Sequence, residues 1–348
     1  MSTPENTDDR EQPKSKKPAD TAFKQQRLPA WQPILTANTA LPVFLIIGLT
    51  FIPIGIVLVV TSNRVLEYDI DYTDTKCINI NNNNNQTCAD YLKDNPVPTT
   101  PCTCKINFTL TSDFDGDVYF YYGLINYYQN HRRYVKSRDD NQLLGKSGSA
   151  ATDCEPFQKI NGTDIAPCGA IANSLFNDTL TLVYSGQTVP LQNTSIAWST
   201  DKNVKFQNPS DPDPYFRNHA KPPNWNKTAW QLDPTHEDNN GFENEDFIVW
   251  MRTAAMPTFR KLYRKLLTTS EPFTKGLPSG TYELTIVYQY PVINFAGRKQ
   301  FIISTTSWMG GKNPFLGWAY IVVGIVCVIV FAVFFILHRF WKMYVLAY

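Results

Sequence analysis

Two runs of sequence decide the fold: LPVFLIIGLTFIPIGIVLVV over residues 41–60 and LGWAYIVVGIVCVIVFAVFFIL over residues 316–337. Neither contains Asp, Glu, Lys or Arg. Twenty residues at about 1.5 Å each reach roughly 30 Å, the thickness of a bilayer's hydrocarbon core. Both runs therefore read as membrane-spanning helices. Residues 1–40 form an N-terminal tail, 61–315 a folded domain tethered at both ends, and 338–348 a short C-terminal tail.

The charge around the first run orients the chain. Lys24 and Arg27 precede it with no acid from 24 to 40, whereas Glu67, Asp69, Asp71 and Asp74 follow it. His338, Arg339 and Lys342 follow the second run. Basic flanks stay on the cytosolic side, so both termini are expected there. The first run starts too far from Met1 and is too long for a cleaved signal peptide, and it reads as a signal anchor. Residues 1–20 are Pro, Lys, Asp and Glu with few apolar side chains, a composition of disordered tails.

Cysteine and sequon placement points the same way. Cys77, Cys88, Cys102, Cys104, Cys154 and Cys168 lie between the runs, and Cys327 stands alone within the second. An even set outside the membrane reads as three disulfides formed in an oxidising lumen. Zinc is the weaker reading, because Cys102-Thr-Cys104 lacks the gap of a zinc knuckle and no His pair has ligand spacing. Asn85, Asn107, Asn161, Asn177, Asn193 and Asn226 each open an N-glycosylation sequon, all between the two runs.

Between residues 61 and 315 there are 24 Lys and Arg against 26 Asp and Glu. No basic face emerges, which argues against nucleic acid as a partner. Aromatic, β-branched and proline-punctuated composition favours a β-rich domain. Strands are expected at Lys105–Leu110, Val118–Gly123, Leu180–Tyr184, Tyr282–Tyr290 and Lys299–Thr306. The Asn294–Gly297 connection suggests a hairpin of the last two. Phe247, Trp250, Met251 and Ala254 recur at helical spacing, and Phe259, Leu262, Tyr263 and Leu266 repeat the stripe after Pro257. On that reading Arg260, Lys261, Arg264 and Lys265 form a solvated basic face.

Candidate chemistry is sparse. His131-Arg132-Arg133 reads as a surface ion-pair cluster with Asp139 and Asp140 rather than a phosphate site. Glu243, Glu245 and Asp246 read as helix N-terminal residues rather than a glycosidase pair. No phosphate-binding glycine loop and no Ser/His/Asp spacing is present, so neither a catalytic residue nor a metal or cofactor site is expected.

Several motifs carry a resemblance: DTAFKQQRLPAWQP (20–33), YYQNHRRY (127–134), SRDD (137–140), IAPCGAIANSLFND (165–178), NNGF (239–242), DFIVWMRTAA (246–255) and SWMGGKNPF (307–315). In these the chain resembles the cell division cycle protein 50 family, the accessory (β) subunits of type-IV P-type ATPase phospholipid flippases, over about residues 20–337. The resemblance implies a noncatalytic glycoprotein with a β-sandwich-like, disulfide-bonded ectodomain. It implies a heterodimer with a catalytic ATPase subunit that moves aminophospholipids to the cytosolic leaflet, with membrane lipids around both. It further implies roles in assembly, in exit from the endoplasmic reticulum and in the ATPase cycle, and residence in endoplasmic reticulum, Golgi, endosomes and plasma membrane. The disulfides it implies are Cys77–Cys104, Cys88–Cys102 and Cys154–Cys168, and Asn177 matches a family glycosylation site. The Asn-rich insert between Cys77 and Cys88, and Ser199 where relatives carry a second Trp, depart from the pattern.

Phe23, Arg27 and Trp31 in the tail are expected to bind the partner, with an interfacial anchor as the plainer reading. A two-span trimeric channel subunit would need polar pore-lining positions that 316–337 does not supply. A membrane-anchored lumenal enzyme is the third reading.

Overall fold

The computed structural model describes residues 17–29, 36–81, 85–95, 100–146 and 148–346. The chain divides into two compact units, Ile56–Trp318 and a second formed by Met1–Gly55 with Ala319–Tyr348.

The two long helices are α1 (Ala37–Asn63) and, at the far end, α4 (Phe315–Leu346). Each is long and apolar enough to cross a membrane. Leu49, Ile54, Val323 and Phe334 turn outward although apolar, a surface suited to lipid rather than water. In the terminal unit the helices approach closely at Gly48 and Gly324. A Cβ on Gly48 would run into Val328 and the Gly324 carbonyl, and one on Gly324 into Ile52. The rings of Phe51 and Tyr320 lie 4.7 Å apart beside this contact.

The larger unit is built on two antiparallel sheets. In chain order the strands of these two sheets are β1 (Glu67–Asp71), β2 (Cys102–Leu110), β3 (Val118–Ile125), β4 (Thr179–Tyr184), β5 (Gln187–Thr188), β6 (Leu191–Gln192), β7 (Phe259–Leu266), β8 (Gly280–Tyr288) and β9 (Arg298–Thr305). One sheet has the order β1-β9-β3-β7-β6 and the other β2-β8-β4-β5. Period-2 side-chain alternation explains why. Residues 102–110 alternate buried with less buried positions, placing Cys102, Cys104, Ile106, Phe108 and Leu110 on one face. Tyr282, Leu284, Ile286 and Tyr288 do the same on β8. Opposite them lie Phe120, Tyr122, Leu124, Phe301 and Ile303 of the first sheet, in one continuous core. Tyr68 stacks on Phe108 across the layers, ring centroids 5.2 Å apart. This is a β-sandwich.

Among the short helices of this unit are α2 (Cys88–Asp94) and α3 (Glu245–Met251). Three disulfides staple the unit: Cys77–Cys104, Cys88–Cys102 and Cys154–Cys168. The first two are neighbours that tie α2 and the loop before it to β2. The third closes a small satellite core with Ala150 and Ile165.

The structure corrects four expectations. Residues 280–288 and 298–305 are not a hairpin: β8 pairs with β2 and β4, and β9 with β1 and β3. Both carry an apolar face, and these faces meet across the core instead of lying side by side. Residues 259–266 are a strand, not a helix, pairing with β3 from Phe259↔Leu124 onward with a bulge between Leu262 and Arg264. FRKLYRKL satisfies both periods, and the open edge of β3 selects the extended one. The basic face consequently dissolves. Lys261 is buried, Arg260 pairs with Glu67 at 2.6 Å, and Arg264 pairs with Asp246 at 2.6 Å. Finally, Asp139 caps the turn at Asp140–Leu143, and Asp140 pairs with Arg138 at 2.9 Å rather than with the His131–Arg133 triplet.

Candidate functional site

The expected partner-binding residues fall in the N-terminal tail. Residues 21–27 form a compact turn, closed by Gln25 N–H to the Thr21 carbonyl and Arg27 N–H to the Ala22 carbonyl. Arg27 pairs with Asp20 at 2.5 Å, which leaves its guanidinium fixed at the surface. Phe23 is 76% exposed at the apex of this turn. Trp31 lies outside the described residues.

In the sandwich unit, a cleft of about 440 Å³ opens between β3, β7 and the segment after β6. Trp198, 65% exposed, forms one wall. The Arg252 guanidinium lies 4.3 Å from that ring centroid and 3.2 Å from Asp201. Asp201 also takes Lys205 at 2.6 Å, so its carboxylate is held between two cations. Arg260 stacks on Tyr121 while paired with Glu67. Each of these charged groups is committed to a structural partner, an arrangement suited to recognition by shape and fixed charge rather than to proton transfer.

Lys261, at the base of the cleft, is a structural device that its sequence neighbours conceal. Its Nζ donates to the carbonyls of Val249, Trp250 and Arg252 at 2.9, 2.7 and 2.6 Å. These are carbonyls that the end of α3 leaves without intrahelical partners. Burial lowers the lysine's pKa to about 7, and nearby Arg252 pushes the same way. At the other end of α3, Asn244 accepts the Phe247 N–H at 3.0 Å as its cap. Glu245 stands in the first turn of α3, as its place in the sequence suggests. Buried, it accepts the Ile196 and Ala197 amides and Lys202, at 2.6, 2.8 and 2.9 Å. Burial pushes its pKa up, and these donors outweigh that to leave it lowered.

His219, His236 and Glu243 have similar local duties. His219 Nδ1 contacts the Tyr215 carbonyl at 2.7 Å, His236 sits 3.2 Å from Asp233, and Glu243 accepts the Asn208 N–H. All six sequon asparagines are in the sandwich unit, Asn193 alone of them half-buried.

The sequence reading missed Lys261, Lys299, Asp178 and the Trp198–Arg252 stack. For Lys299 a signal existed. It alternates with Phe301 and Ile303 on the inward face of β9, where a lysine must find a buried partner.

Comparison with known proteins places the whole assembly. Residues 58–343 match the LEM3 (ligand-effect modulator 3) family / CDC50 family, a stretch holding the entire sandwich and most of α4. The chain is 56% identical over 322 residues to cell cycle control protein 50A of Bos taurus, covering 89% of this chain and 86% of that protein. It is 47% identical over 326 residues to cell cycle control protein 50B of Homo sapiens, covering 90% and 91%. It is 38% identical over 327 residues to the putative ALA-interacting subunit 4 of Arabidopsis thaliana, covering 92% and 89%. The chain belongs to the CDC50/LEM3 family.

Proposed function

We propose that the chain is the noncatalytic accessory subunit of a type-IV P-type ATPase that translocates phospholipids. Membership of the CDC50/LEM3 family across residues 58–343 carries this reading. The fold supports it. Two apolar helices packed at Gly48 and Gly324 would lie beside the pump's own helices, and the stapled sandwich would sit over its extracytoplasmic loops. Phe23, Arg27 and Trp31 would hold its cytosolic edge.

In this account both termini are cytosolic, the sandwich is lumenal or extracellular, and its exposed sequons carry sugar. The subunit assembles with the ATPase, accompanies it out of the endoplasmic reticulum to Golgi, endosomes and plasma membrane, and supports its cycle while aminophospholipids move to the cytosolic leaflet. The chain itself performs no covalent chemistry. Co-expression with a type-IV P-type ATPase catalytic subunit tests the proposal. A stoichiometric complex with ATP-driven lipid translocation supports it, and a homotrimer that conducts ions contradicts it.

A further inference from the structure

We infer that Asn193 is a structural clasp and not a glycan acceptor, while the sugars are carried by Asn85, Asn107, Asn161, Asn177 and Asn226. The inference rests on the lumenal placement of the sandwich proposed above. An N-linked sugar replaces a hydrogen on the asparagine Nδ2, so that nitrogen must face open solvent. Five of the sequon asparagines are exposed. Asn107 occupies an outward position of β2, and Asn161 lies at the tip of the ribbon that pairs Lys159–Ile160 with Thr163–Asp164.

Asn193 differs in kind. Its Nδ2 donates to Asp233 Oδ2 at 2.7 Å. Asp233 is 5% exposed and also collects Asn239 Nδ2 at 2.8 Å, Thr235 N–H and Oγ1 at 2.9 and 2.6 Å, and His236 N–H at 3.2 Å. Burial alone would raise the carboxyl's pKa, and this set of donors instead holds it well below the usual range. From Asp233 the network runs on. Asn240 bonds both the N–H and the carbonyl of Asp233, Asn239 accepts the Glu245 N–H, and Asn244 donates to the Asn239 carbonyl. Asn193 thus fastens the residue after β6 to the segment that positions α3.

A sugar on Nδ2 leaves that nitrogen one hydrogen for Asp233. The ring would still have to fit beside a carboxylate that is 5% exposed, on a half-buried side chain, so chains glycosylated at Asn193 should be depleted from the folded population. Strands β1, β3, β6, β7 and β9 contain no sequon. With Asn193 bare, the β6 edge of the five-stranded sheet carries no sugar.

Site-by-site glycopeptide mass spectrometry on the full chain from a glycosylating eukaryotic host tests the assignment. Asn193 should be occupied in less than about one-tenth of molecules, and an occupancy equal to that of Asn177 overturns the inference. Ser195→Ala removes the sequon and keeps the amide: unchanged gel mobility and Tm are expected, and loss of one glycan overturns the inference. Asn193→Ala should lower Tm by about 3–6 °C, and an unchanged Tm overturns the clasp. Sugar on none of the six sites would contradict the lumenal reading, while the Asn193→Ala melt would still decide the clasp.

Discussion

Lys299 donates to Asp178 at 2.5 Å in the middle of the sandwich, and neither side chain reaches solvent. Lys299 also donates to the Tyr290 carbonyl at 2.8 Å, and its ammonium lies 3.0 Å from the Tyr288 ring centroid. Asp178 takes the Tyr72 hydroxyl on one oxygen and the Gln289 and Tyr290 N–H groups, both at 2.7 Å, on the other. Those two amides follow β8 directly, where the chain leaves one sheet for the other. The carboxylate satisfies backbone that would otherwise continue a ladder, and the lysine on β9 neutralises the carboxylate. The ion pair therefore marks the crossover between sheets.

Breaking this pair from one side is expected to be costly. Lys299→Met leaves Asp178 buried with no cation, and removal of one partner from a buried pair costs about 3–5 kcal/mol. Denaturant unfolding of the purified full chain measures it. A loss under about 1 kcal/mol would show that the pair contributes little to the crossover.

Buried lysines give the fold a particular pH dependence. Burial lowers Lys299 to about 8 against the attraction of Asp178, and Lys261 to about 7. Below about pH 7 both folded and unfolded chains hold these protons, and the burial cost of the charges is fully present. Between about pH 7 and 9.5 the folded chain gives up protons that the unfolded chain, with lysine near 10.4, still binds. Stability should therefore rise with pH across that window. Lys261→Met should flatten the rise in a pH series of thermal melts. An equal slope in the variant would remove Lys261 as a source.

The satellite core around Cys154–Cys168 depends on its staple. A cross-link closing a loop of this length, with a sequence separation of 14, stabilises by about 3 kcal/mol in the chain-entropy account. Cys168→Ser should lower Tm and slow export of the chain from the endoplasmic reticulum. Wild-type melting and trafficking would show that the neighbouring packing suffices.

The tail makes a separate prediction. Phe23 stands exposed on a turn that Arg27 and Asp20 hold in place. Phe23→Ala combined with Trp31→Ala should weaken co-purification of the catalytic subunit by roughly 30-fold, as for an aromatic hot spot of about 2 kcal/mol. Undiminished recovery of the complex would remove these residues from the interface.

Much of this architecture was legible in residue patterns. The two uncharged runs mark the helices, and the strands expected at Lys105–Leu110 and Tyr282–Tyr290 overlap β2 and β8 of the core. Other parts were legible only in context. FRKLYRKL obeys both the helical and the extended period, and only the free edge of β3 settles it. The turn chemistry of Asn294–Gly297 suits a hairpin, but pairing depends on edges supplied by β1, β2, β3 and β4. Five of the six sequons end in Thr and that of Asn193 ends in Ser, and Asp233, forty residues beyond Asn193, sets it further apart.

The most direct test of the account is reconstitution with and without this chain. A type-IV P-type ATPase catalytic subunit, co-expressed with the full chain and purified into liposomes, should yield a one-to-one complex that moves a labelled aminophospholipid to the ATP-facing leaflet. Without the chain the catalytic subunit should remain in the endoplasmic reticulum and translocate little lipid. Equal export and equal transport in both cases would contradict the role proposed here.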